Sequence, residues 1–93
     1  MRLVAYRVEY TKKAVKQLKK MDRFTARIIT NWIGEHLEGC DDPRRFGKAL
    51  SANRAGEWRY RVGDWRILCL IEDEVLLIEV FSIGHRREVY EDK

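Results

Sequence analysis

Proline occurs once and glycine six times in 93 residues, which excludes collagen-like and low-complexity chains. Apolar runs are short. None approaches the ~18–20 residues needed to span a bilayer as a helix. The first ten residues alternate and carry Arg2, Arg7 and Glu9, so they lack the apolar segment of a secretory signal, and a cytoplasmic protein is expected. Cysteine is sparse: Cys40 and Cys69 allow at most one bridge and have no metal-binding spacing. Cys69 reads as a core residue and Cys40 as a loop thiol. Also missing are the P-loop, GxGxxG, HExxH and GxSxG motifs, and any carboxylate cluster suited to Mg2+. No cofactor and no metal site are expected.

What is present is enough apolar content (45%) for one small core and much charge (37%). A chain of this length buries roughly two-thirds of its unfolded surface, so residues 1–93 are read as one domain. The net charge is +4, and it is unevenly spread. Residues 1–20 carry Arg2, Arg7, Lys12, Lys13, Lys16, Lys19 and Lys20 against Glu9 alone. Residues 44–66 carry Arg44, Arg45, Lys48, Arg54, Arg59, Arg61 and Arg66 against Glu57 and Asp64. Such polarity favours a polyanion, whose counterions are released on binding. Lys12, Lys13, Lys16, Lys48 and Arg54 are the candidate RNA-binding residues. A merely solvated lysine face is the competing reading of residues 12–20.

Periodicity predicts the elements. Val4–Val8 alternates as a strand. Thr11 caps a helix with Ala14, Val15, Leu18 and Met21 on one side. Asp22 caps a second helix carrying Phe24, Ile28, Ile29, Trp32, Ile33 and Leu37, which ends near Gly39. His36 lies on this helix and is read as a packing or surface residue. Asp41–Ser51 is read as a loop. From Glu57 the period changes to two, and three strands follow: Glu57–Val62, Trp65–Ile71 and Val75–Ile83. The predicted class is α+β: an N-terminal strand, a two-helix hairpin, then a three-stranded antiparallel meander with the helices on one sheet face.

If Gly63-Asp64 closes a two-residue turn, Arg61 stands opposite Arg66 and Arg59 opposite Leu68. Trp58, Tyr60, Val62, Trp65, Ile67 and Cys69 then share the covered face, with all three tryptophans on apolar positions. Arg59, Arg61 and Arg66 share the other face, and Arg66 is expected to point outwards. Like charges placed opposite one another destabilise a sheet, so this pattern points to a phosphate-binding face. Splayed arginines, or pairing with Glu79, would be the structural explanation. The last strand should carry His85, Arg86 and Tyr90 towards the same cluster. His85 could move a proton and Tyr90 could stack on a base. Without a metal site, phosphodiester cleavage would have to use the internal 2′-hydroxyl of RNA.

Two segments resemble the RelE/ParE toxins of bacterial toxin–antitoxin systems. One is Lys48–Leu50 with Gly56-Glu57-Trp58-Arg59-Tyr60-Arg61-Val62-Gly63-Asp64-Trp65-Arg66-Ile67. The other is Ile83-Gly84-His85-Arg86-Arg87-Glu88-Val89-Tyr90. The resemblance implies a microbial-RNase-like fold and, for a RelE-like member, cleavage of mRNA in the ribosomal A site beside 16S rRNA. It also implies silencing by a RelB-like antitoxin. Carried over by motif, the catalytic set is Arg59, Arg61, Arg66, His85, Arg86 and Tyr90. Some relatives use an upstream carboxylate, for which Glu57 is the nearby candidate. Ala49 stands where the family often has proline, and Arg86 and Tyr90 are closer together than in some RelE members. A ParE-like gyrase inhibitor that cuts no nucleic acid is the second reading, and a plain basic RNA-binding domain the third.

Overall fold

A computed structural model of the chain describes residues 4–51 and 56–87. The elements are β1 (Arg7–Tyr10), α1 (Lys12–Lys20), α2 (Arg23–His36), a 3-10 turn at Pro43–Arg45, β2 (Lys48–Ala49), β3 (Glu57–Val62), β4 (Trp65–Glu72), a 3-10 turn at Asp73–Val75, and β5 (Leu77–His85). The class is α+β, as predicted, with two helices and one mixed sheet of five strands in the order β1-β5-β4-β3-β2.

Both helix starts follow from their caps. The Thr11 hydroxyl accepts the N–H of Ala14 at 3.2 Å, and the Asp22 carboxylate accepts that of Thr25 at 3.0 Å. α1 packs chiefly on β5. Gln17 fixes this docking, since its carbonyl oxygen accepts the Ile83 N–H at 2.7 Å. Ile29, Ile33 and Leu37 of the second helical segment are buried with Tyr60, Ile67, Cys69, Ile78, Val80 and Ile83. Each large apolar side chain so buried contributes about 1.5–3 kcal/mol. Cys69 is a free thiol inside this core and Cys40 a free, half-buried one.

Three boundaries differ from expectation. The first strand is Arg7–Tyr10 rather than Val4–Val8, and it pairs parallel with Leu77–Val80. Tyr6 is held instead by the loop after α2: its N–H donates to Cys40 O at 2.9 Å, and its carbonyl accepts the Gly39 N–H at 2.7 Å. Within the expected loop Asp41–Ser51, Lys48 and Ala49 pair with Arg59 and Trp58 as a short edge strand. The last strand starts at Leu77, because Leu76 turns the chain in the left-handed region (φ 53°), and it runs on to His85.

The hairpin register matches the count from Gly63-Asp64: Val62 opposes Trp65, Arg61 opposes Arg66, Tyr60 opposes Ile67 and Arg59 opposes Leu68. Trp58, Val62 and Trp65 are only half-buried, packed against the edge of the core.

Candidate nucleic-acid interface

Cross-strand pairing sorts the sheet into rows. Lys48, Arg59, Leu68 and Ser82 form one row, and Arg61, Arg66 and Gly84 the next on the same face. The row between them, on the opposite face, holds Tyr60, Ile67 and Ile83. Three arginines and a lysine thus gather across β2, β3 and β4. They line a cleft of about 390 Å³ together with Trp32, Phe46 and Gly47.

Arg66 departs from the expectation that it points outwards: it is buried, with 7% of its surface exposed. Its Nη1 donates to the carbonyls of Gly63 (3.1 Å) and Trp65 (3.2 Å) at the hairpin turn. The turn that sets the register therefore also orients the guanidinium. Arg61 opposite it is exposed. Among the described residues neither has a carboxylate partner, and pairing with Glu79 is not seen. Burying a cation without a counter-charge is costly, and the cost is offset when an anion binds. The arrangement is suited to holding a phosphate by two planar, always-charged forks.

Three other arginines are paired with carboxylates. Arg44 Nη1 donates to Asp73 Oδ1 at 2.9 Å, and the Tyr6 hydroxyl donates to the same oxygen at 2.6 Å. Arg44, then Tyr6, hold the Asp73 carboxyl below the usual carboxylate range. In return Asp73 pushes the Tyr6 hydroxyl up to about 12. Arg45 pairs with Asp41 and Arg7 with Glu9, each at 3.1 Å.

The loop that brings Phe46 and Gly47 to the cleft is pinned at several points. The Tyr60 hydroxyl donates to Pro43 O and the Trp58 indole N–H to Phe46 O, both at 2.6 Å. Burial pushes the Tyr60 hydroxyl far up, so it stays a donor. Gly47 has φ +79°, and a Cβ there would lie 2.2 Å from Arg59 O and 2.8 Å from Trp58 Nε1. Only glycine lets the loop come this close to β3. Trp32, Phe46 and Gly47 were missed as cleft residues, and Trp32 was read as core. An isolated phenylalanine between Arg44-Arg45 and Gly47-Lys48, outside any apolar period, was the available signal. His36 packs as read: its ring stacks on Trp32 at 4.6 Å and its Nδ1–H donates to Trp32 O at 2.9 Å.

The structure does not bring His85 to the arginine face. A bulge between Leu68 and Cys69 shifts the pairing of β4 with β5 by one residue, so that His85 opposes Trp65 and Gly84 opposes Arg66. Without that extra residue His85 would fall on the arginine side, since a one-residue slip exchanges the two faces. The His85 ring meets Trp65 edge-on at 5.7 Å, and Nδ1 accepts the Arg87 N–H at 3.4 Å. Arg86 is exposed, and its N–H donates to Asp64 O at 2.8 Å, beside the hairpin turn. Neither His85 nor Arg86 is among the described residues lining the cleft. Glu57 lies one same-face step from Arg59, opposite Leu70. Lys12, Lys13 and Lys16 are exposed on α1, over β5 and apart from the cleft. Tyr90 and Arg54 lie outside the described residues.

The profile of the ParE toxin of the type II toxin–antitoxin system parDE matches residues 8–90. This chain belongs to the RelE/ParE toxin family. Toxin RelG of Mycobacterium tuberculosis is 30% identical over 86 residues, covering 91% of this chain and 95% of that protein. Among solved structures, the M. tuberculosis toxin–antitoxin complex RelBE2 superposes with a TM-score of 0.76 at 28% identity, over 91% of this chain and 95% of the matched one. The isolated RelE toxin of E. coli shares the fold, with a TM-score of 0.70 at 21% identity over 95% of this chain and 94% of its own. The toxin described here thus combines the RelE fold with a cleft lined by basic residues, of which Arg61 and Arg66 have no carboxylate partner among the described residues. No helix among its described residues is long and apolar enough to cross a membrane.

Proposed function

We propose that this type II toxin is a ribosome-dependent, metal-independent endoribonuclease that cuts mRNA in the A site beside 16S rRNA and so inhibits translation. The observation that carries the reading is the Arg61–Arg66 pair: opposed across two strands, one guanidinium buried, and neither paired with a carboxylate among the described residues. In the reaction the RNA 2′-oxygen attacks the adjacent phosphorus while the P–O5′ bond breaks, leaving a 2′,3′-cyclic phosphate and a 5′-hydroxyl. The 2′-hydroxyl gives up its proton and the departing 5′-oxygen gains one. Arg61 and Arg66 hold the phosphate and stabilise the charge that builds on it, while Arg59 and Lys48 grip the neighbouring backbone. Arg86, at the turn beside them, extends the basic surface. His85, edge-on to Trp65, orders the end of β5 and takes no part in proton transfer. Tyr90 remains the stacking candidate.

The partner that silences the toxin is a RelB-like antitoxin, the kind of protein found with RelE in the archaeal RelE–RelB complex from Pyrococcus horikoshii. Phe24 and Ile28, four residues apart on α2, are 73% and 44% exposed and give an amphipathic segment an apolar anchor. The matched profile is that of ParE, which keeps the gyrase-inhibitor reading in play. Primer extension on mRNA from cells expressing the toxin, run beside a gyrase supercoiling assay, separates the two. Codon-positioned cuts with normal supercoiling are expected. Intact messages with inhibited gyrase would overturn the nuclease reading.

A further inference from the structure

The cleft lining combines two chemistries. Lys48, Arg59, Arg61 and Arg66 are cationic, and Trp32 and Phe46 are aromatic. Its volume of about 390 Å³ is within the ~300–1,000 Å³ range of small-ligand sites. We propose that the aromatic part of this lining is a base-binding subsite, which takes one unpaired base of the RNA whose phosphate is held by the arginines. This deepens the nuclease reading and rests on it.

Three observations support the subsite. Trp32 stacks on His36 at 4.6 Å and meets Phe46 edge-to-face at 6.0 Å, and Trp32 and Phe46 are both half-buried, so part of their ring surface remains exposed. The Trp32 indole N–H has no acceptor among the described residues and is not sealed from solvent, whereas the Trp58 indole N–H is given to Phe46 O. Finally, the Phe46 wall is rigid: Arg44 is fixed by Asp73, Pro43 O by Tyr60, and Gly47 packs directly on β3. A wall held in shape beside a phosphate site suits a flat, π-faced ligand. An unpaired base answers that description, and stacking of this kind is how single-stranded RNA is commonly gripped.

The test uses the intact toxin released from its antitoxin, with the three tryptophan indole signals assigned by NMR. Inorganic phosphate and the four nucleoside 3′-monophosphates are the probes. Nucleotides should shift the Trp32 indole signal, while phosphate alone should shift only arginine signals. In parallel, Trp32→Phe and the milder Phe46→Leu, each checked for folding by thermal melting, should redistribute cuts among codons by roughly tenfold or more. If nucleotides and phosphate shift the same arginine signals and leave Trp32 unmoved, or if both folded variants keep the wild-type cut distribution, the base subsite is overturned and the phosphate site stands. If the wild-type toxin makes no cuts on translating ribosomes, the nuclease reading falls and the subsite with it.

Discussion

Two clusters of arginine sit in this small protein and differ in one respect. At one end of the sheet Arg44 shares Asp73 with Tyr6. At the hairpin, Arg61 and Arg66 oppose one another with no carboxylate among the described residues. The first cluster is internally neutralised and ties a 3-10 turn to a strand end. The second holds positive charge that no carboxylate among the described residues neutralises. Composition counts these arginines alike. Whether a carboxylate stands within reach separates a structural arginine from one poised for a ligand.

The largest expected effect breaks the unpaired cluster. Arg66→Ala should lower mRNA cleavage by roughly 10²–10⁴-fold, the scale of losing a preorganised charge partner of the transition state. Because Arg66 is buried and donates to two turn carbonyls, folding will also suffer, by about 1–3 kcal/mol. Arg66→Lys keeps the charge but not the fork, so thermal melts and single-turnover rates of the two variants together separate stability from catalysis.

Next comes the loop between the clusters. In Gly47→Ala the new methyl meets Arg59 O in a backbone region unfavourable to alanine, which should cost at least about 2 kcal/mol in denaturant unfolding. A neutral result would mean that the loop does not pack on β3 as closely as described.

A smaller effect belongs to the paired cluster. Asp73→Asn should remove less than about 1 kcal/mol, since the pair is largely exposed. Its pH dependence is the sharper signature. The Asp73 pKa is depressed in the folded state, so its stabilisation is present above the unfolded value near ~4 and lost as pH falls through the folded one. Wild type and variant should therefore converge in acid. Tyr6 works in the opposite direction, with stabilisation lost as pH rises from about 10 towards about 12. Cleavage at neutral pH should be nearly unchanged in Asp73→Asn.

The smallest effect concerns His85. With its ring on Trp65, His85→Gln should change the single-turnover rate by less than about tenfold, below the usual contribution of general acid–base catalysis. A loss of 10²-fold or more with intact folding would restore its expected role as a proton donor.

How far the sequence could be read follows from which residues act locally. Thr11 and Asp22 cap helices through their own side chains, and Gly63-Asp64 forces a two-residue turn, so helix starts and hairpin register were legible by counting. The opposition of Arg61 and Arg66 followed directly. The burial of Arg66 did not, because it depends on carbonyls at the turn rather than on strand alternation. The side taken by His85 was hidden by a bulge that no residue type announces. Lys48–Ala49 is too short a strand to show a period, and the pairing of β1 with β5 joins distant stretches of chain. Trp32 reads as core from its helical period and Phe46 falls within an expected loop, because their basic neighbours across the cleft come together only in three dimensions.

The most direct measurement is single-turnover cleavage of a message held in the A site of purified ribosomes, comparing wild type with Arg61→Ala and Arg7→Ala. Arg61 is exposed and bonds to nothing else described, so its loss leaves the fold intact, whereas Arg7 is paired with Glu9 far from the cleft. The account predicts that wild type and Arg7→Ala cut at the same codon-positioned site with similar rates, and that Arg61→Ala is slower by roughly 10²-fold or more. Equal rates for all three proteins would contradict it.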